Sequence, residues 1–222
     1  MTEPDAALTI DVVSDVVCPW CYLGKKRLER ALAAETGAPI RVRWRPYQLD
    51  PAIPAGGLDR DRYMRDKFGD DGRLETIHAR LEALGAEEGI AFAFAKIARA
   101  PNTLDAHRLI RWAFAAGVQD AVVDRLFQLY FEQGRDIGDR ALLIETAVAC
   151  GMDGAVVARL FAEDADAAEV RAEIAEAQSL GVTGVPFFIF AQRFGVPGAQ
   201  SAQVLTTAID RARKSLAGVE VA

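Results

Sequence analysis

The chain reads as an α/β protein: a βαβ unit opens it, a ββα unit closes it, and a long all-helical insertion separates the two. Three observations predict this. Segments near residues 8–45 and 185–196 carry the β-branched and aromatic residues of strands. The stretch from Leu58 to Leu180 carries helical periodicity, punctuated by Gly117, Gly134 and Gly151. Two cysteines, Cys18 and Cys21, stand where the first strand gives way to the first helix.

Residues 8–17 form a nearly continuous apolar run, which predicts a strand covered on both faces at the centre of a sheet. A helix follows from Pro19 to about Glu35, with Leu23, Leu28, Ala31 and Leu32 on its apolar side. Ile40 to Arg45 alternates apolar and basic residues, as a half-buried strand does. Pro46, Pro51, Pro54 and the pair Gly56-Gly57 then break the pattern. Helices are expected over Asp59–Phe68, Gly72–Glu88, Thr103–Ala116, Asp120–Gln133, Asp139–Cys150, Gly154–Ala162 and Ala165–Leu180. Val185–Phe190 and Arg193–Val196 read as a hairpin, and Ser201–Leu216 as the last helix. This order describes a thioredoxin-like core, residues 1–57 and 181–222, split by a helical domain over 58–180.

Composition narrows the function. The 222 residues are 51% hydrophobic and 26% charged, which suits a globular protein with a core that needs no disulfide staples. The net charge of −6 argues against nucleic-acid or anionic-membrane partners, both of which want a basic surface. Met1 to Asp5 lacks the basic start and apolar centre of an export signal, and no apolar run is long enough to span a bilayer. A cytoplasmic location in a reducing compartment is the expectation.

The placement of Cys18-Pro19-Trp20-Cys21 points to redox chemistry. A thiol at a helix start faces unpaired backbone N–H groups and the positive end of the helix dipole, both of which favour thiolate. Pro19 suits the first helical position. Cys18 is therefore expected to attack a disulfide and Cys21 to resolve the mixed disulfide. Zinc is the rival use of such a pair, but it wants four ligands, and Cys150, His78 and His107 stand isolated. No metal and no tightly bound cofactor are expected.

Far downstream, Thr183-Gly184-Val185-Pro186 opens a strand with a residue that cannot donate a ladder hydrogen bond. A tight turn with a cis Val185–Pro186 bond would fit, packed beside the cysteines. Backbone groups of Val185 would then be offered to an extended substrate chain. An ordinary loop-to-strand proline is the alternative.

Three separated segments resemble the DsbA family of thiol–disulfide oxidoreductases, and its FrnE-like branch in particular. They are Asp15 to Lys25 around the cysteines, Pro101 to Leu109 in the helical region, and Gly181 to Phe188 around the proline. The resemblance implies a thioredoxin fold with an inserted helical domain and dithiol–disulfide exchange. Kappa-class glutathione transferases and 2-hydroxychromene-2-carboxylate isomerases share this architecture, but their active-site segment begins with serine where this chain has Cys18. Glutathione is a candidate co-substrate, and a glutathione-dependent isomerase or transferase of an aromatic metabolite is the alternative reading. A disulfide-containing protein or a small thiol is the expected partner, and the relatives make a homodimer plausible.

Other residues carry two readings each. Asp15 is either a proton relay for the dithiol or a turn-forming aspartate. Lys25, Lys26 and Arg27 read as a solvated helix face, with attraction of a thiolate or of glutathione as the alternative. His107 reads as a satisfied core histidine and, by resemblance, lies with Asn102 near the interface between the two domains. Asn102 either caps a helix or contacts substrate. Trp20 is expected at the mouth of the site, offering apolar contact. Cys150 is expected to be a buried, inert thiol.

Overall fold

The computed structural model describes residues 8–218; the acidic start, Met1 to Asp5, lies outside the described residues. β1 (Leu8–Ser14) leads through the site turn into α1 (Pro19–Ala33), and β2 (Ile40–Pro46) follows. β3 (Leu58–Asp59), α2 (Arg60–Phe68), α3 (Arg73–Glu87) and β4 (Arg99–Ala100) begin the insertion. It continues through α4 (Leu104–Ala115), α5 (Gln119–Phe131), α6 (Arg140–Ala149), α7 (Gly154–Ala162) and α8 (Ala167–Ser179). The chain closes with β5 (Phe187–Phe190), β6 (Phe194–Pro197) and α9 (Ala202–Leu216).

The main sheet runs β2-β1-β5-β6. β1 pairs in parallel with β2, from Leu8 opposite Ile40 to Ser14 opposite Pro46. On its other side β1 pairs antiparallel with β5, with Val12 opposite Phe188. β1 is thus internal and buried on both faces, which is why its apolar run does not alternate. Leu8, Ile10 and Val12 join Leu23, Leu28, Phe188 and Ile209 in the core, and α1 packs beside α9. β2 is an edge strand, and the insertion closes it. The Gln119 amide accepts from Trp44 N at 2.9 Å and donates to Trp44 O at 3.1 Å, copying a ladder partner.

The insertion departs from the all-helical expectation in one place. β3 and β4 form a two-residue antiparallel ribbon, extended by Arg60 N donating to Ala98 O at 3.1 Å. Strands this short leave no period to read. Gly134 has φ +67°, and a Cβ there would lie 2.3 Å from the Lys96 carbonyl oxygen, so only glycine lets α5 end against this segment.

Candidate active site

The cysteine pair is built by a turn between β1 and α1. Cys18 N donates to Asp15 O at 2.9 Å, and Cys18 becomes the N-cap of α1 with extended backbone, φ −93° and ψ 112°. Pro19 fills the first helical position, and no acidic residue occupies the first turn to offset the helix dipole. Both thiols are free. Cys18 is 4% exposed, and Cys21, one turn deeper, is fully buried. Burial and the adjacent Cys18 sulfur push the Cys21 thiol well above its ordinary range.

The downstream turn meets this pair as its sequence suggested. The Val185–Pro186 bond is cis. Cys18 Sγ lies 3.6 Å from the Val185 carbonyl oxygen, across 167 positions of chain. Among the described residues, Val185 N–H has no acceptor. A residue that sequence reasoning missed makes the approach close. A Cβ on Gly24 would lie 2.9 Å from Pro186 Cγ and 3.2 Å from Phe188 Cζ. The signal was present: a glycine inside a helix costs about 1 kcal/mol and needs a packing reason.

Asp15 and His107, read separately in the sequence, come together. Asp15 is 1% exposed. Its Oδ1 lies 3.3 Å from His107 Nε2, and its Oδ2 accepts from Leu49 N at 2.8 Å. The pair links the turn before Cys18 to α4.

Two expectations are corrected here, for the basic stretch and for Cys150. Lys25 is 1% exposed, so the basic stretch is no solvated face. Its ammonium is bonded to Glu29, and it reaches Asp120 and Asp124 on α5, each at 3.2 Å. Burial alone would lower the Lys25 pKa, but Asp120, Glu29 and Asp124 outweigh it and raise it. Lys26 joins Asp124 at 2.8 Å, and Arg27 bonds Glu88 and the Ala199 carbonyl. Cys150 is half-buried at the C-terminal end of α6, not enclosed, because that helix end is only partly covered. Burial still raises its thiol pKa.

Asn102 does not line the cavity at the cysteines. Its Oδ1 accepts from Leu104 N at 3.0 Å and Gln48 Nε2 at 3.1 Å, while its Nδ2 donates to Ile53 O at 2.6 Å. That side chain ties the start of α4 to the loop after β2, leaving Thr103 without a side-chain cap bond of its own.

Cys18 opens on a cavity of about 370 Å³ between the sheet end and the insertion. Pro19, Trp20 and Val185 stand at the cysteine side. Met64, Leu74, Ile77 and Phe94 supply an apolar wall, and Arg60, Lys67 and His78 are its basic residues, with Lys67 Nζ donating to Tyr63 Oη at 2.7 Å. Trp20 is half-buried, with the Arg80 guanidinium 5.8 Å from its ring centroid. Among the described residues, no three His, Cys, Asp or Glu side chains cluster as metal ligands.

The profile of the DsbA-like thioredoxin domain matches residues 9–210. The chain belongs to this family. The DsbA-like fold is shared, at a TM-score of 0.85 and 34% identity, with the probable DsbA oxidoreductase SCO1869 of Streptomyces coelicolor; the match covers 97% of this chain and 92% of that one. A 2-hydroxychromene-2-carboxylate isomerase has the same fold at a TM-score of 0.69 and 18% identity, covering 96% and 100% of the two chains. The cytosolic disulfide reductase DsbM of Pseudomonas aeruginosa shares it at 0.59 and 21%, covering 95% and 97%. Bacillus subtilis YwbO, an uncharacterized protein, is 27% identical over 210 residues, 92% of this chain and 97% of that one. No helix among the described residues is long and apolar enough to cross a membrane.

Proposed function

We propose that this DsbA-like protein is a cytoplasmic dithiol–disulfide oxidoreductase. The observation that carries the reading is Cys18 at a helix start with its sulfur 3.6 Å from the carbonyl of Val185. The Cys18 thiolate attacks one sulfur of a substrate disulfide and expels the other as a thiolate. Cys21 then loses its proton and attacks the Cys18 sulfur, releasing the second substrate thiolate and leaving the Cys18–Cys21 disulfide. Val185 offers its N–H and C=O to an extended substrate beside the mixed disulfide.

Because the Cys21 thiol holds its proton tightly, its attack needs an acceptor. Asp15, held by His107 and Leu49 N, is positioned to help through the turn it shares with Cys18. In a reducing cytosol the pair rests as a dithiol, which favours reduction or isomerisation over net oxidation. The cytosolic reductase among the fold relatives supports that direction. Insulin reduction by dithiothreitol tests the assignment: Cys18→Ser abolishes the enhancement, and equal turnover by variant and wild type rejects it.

The cavity supports a second reading, a glutathione-dependent isomerase or transferase of an aromatic metabolite, since its apolar wall could hold a ring. The isomerase relative has the same fold. Glutathione-dependent turnover of an aromatic substrate that survives Cys21→Ser would favour it over disulfide exchange.

A further inference from the structure

Arg60 opens α2 and lines the cavity that Cys18 shares. It is 6% exposed. Its Nη2 lies 3.4 Å from His78 Nε2, and its Nε has no hydrogen-bond partner among the described residues. No carboxylate among the described residues forms an ion pair with it. The cavity's two carboxylates are engaged elsewhere: Asp15 by His107 and Leu49 N, Asp50 by Ala52 N. His78 supplies no counter-charge, since an imidazole is neutral or cationic, and burial and Arg60 itself lower its pKa. A guanidinium without a counter-charge is costly to bury, and its planar fork matches a carboxylate.

We propose that this cavity binds a small organic carboxylate, with Arg60 taking the anionic group and Met64, Leu74, Ile77 and Phe94 taking an apolar body. The volume suits a molecule of one ring and a short chain. Cys18 lines the same cavity, so the site deepens the oxidoreductase reading and, as a substrate assignment, rests on it: the favoured small substrates are carboxylate-bearing disulfides.

Calorimetric titration of the reduced wild-type protein with hydrocinnamate and with its neutral amide tests the site with no redox step. The carboxylate binds roughly tenfold tighter than the amide. Equal affinity, or binding of neither, overturns the proposal, and neither result depends on a variant folding. Arg60→Gln brings the two ligands within about twofold, while Arg60→Lys keeps part of the preference.

Rates with two aromatic disulfides, the anionic dithiobis(nitrobenzoate) and the neutral dithiodipyridine, carry the test to Cys18. Each reagent accepts two electrons and leaves as two thiols or their tautomers, while the dithiol becomes the Cys18–Cys21 disulfide and gives up its protons. The ratio of anionic to neutral rates falls about tenfold in Arg60→Gln; an unaltered ratio overturns the substrate assignment. A dithiol inert to both reagents, beside an intact carboxylate preference, rejects the oxidoreductase reading and supports the site.

Discussion

His107 Nε2 lies 3.3 Å from Asp15 Oδ1, so the helical insertion grips the turn that carries the dithiol. Both side chains are buried. His107→Ala leaves that carboxylate oxygen without its partner, and unfolding in urea should show a loss of about 2 kcal/mol. The same variant should shift the pH profile of insulin reduction, because the group beside the dithiol loses its orienting contact. An unchanged profile with lowered stability would leave the pair a purely structural clamp.

Cys21 should titrate late. Burial first, then the Cys18 sulfur, raise its pKa well above the ordinary 9.0. In Cys18→Ser the burial remains, so alkylation of Cys21 by iodoacetamide should climb with pH and show no plateau up to pH 9. For stability, the native state holds this proton more tightly than the unfolded chain. Its contribution is present below about pH 9 and lost as pH rises above it. Urea denaturation of reduced and oxidised protein should therefore diverge on the alkaline side, the reduced form weakening more.

Gly24→Ala should damage both packing and catalysis. The added Cβ meets Pro186 and Phe188 at 2.9 and 3.2 Å, and overpacking of this kind costs about 1–3 kcal/mol. Because the shift falls between α1 and the Val185–Pro186 turn, insulin reduction should fall along with the urea midpoint. A variant with normal activity and normal stability would show that α1 and the turn can separate without consequence.

The ion cluster joining α1 to α5 should have two pH limits. Burial would raise the Asp124 pKa, but its bonds to Lys26 and Lys25 outweigh this and lower it below the ordinary 3.8. Its contribution is present above that value and lost as pH falls through the depressed one. Lys25 is raised above 10.5, so its contribution is present below that value and lost as pH rises through the higher one. Lys25→Met should flatten both limbs of the stability–pH curve. It should also destabilise at neutral pH by about 1–3 kcal/mol, since Glu29, Asp120 and Asp124 lose the ammonium they share.

The main-sheet strands and the helices were legible because each has a period or a boundary residue, while the two-residue β3 and β4 were not. β1 reads as central because both its faces are buried, and Asp139, Asp153 and Ser201 cap α6, α7 and α9 with side-chain bonds. The two parts of the candidate site were legible as well, since Cys18 and Pro186 sit at element boundaries with unusual chemistry. Contacts between distant elements were not. Lys25 looks like any surface lysine until α5 brings Asp120 and Asp124 to it. Arg60 looks like the start of an exposed helix until β4 and α3 close over it. Those environments are fixed by tertiary packing, which leaves no local pattern.

The 167-residue gap between Cys18 and Val185 also has a bearing on synthesis. Chains emerge from the ribosome at about 5–20 residues per second, so the dithiol is made on the order of ten seconds or more before its covering turn exists. For that interval both thiols are open to any oxidant or disulfide nearby, without helix packing or neighbouring backbone to govern which one reacts. A compartment that keeps nascent thiols reduced would shield the pair over that interval.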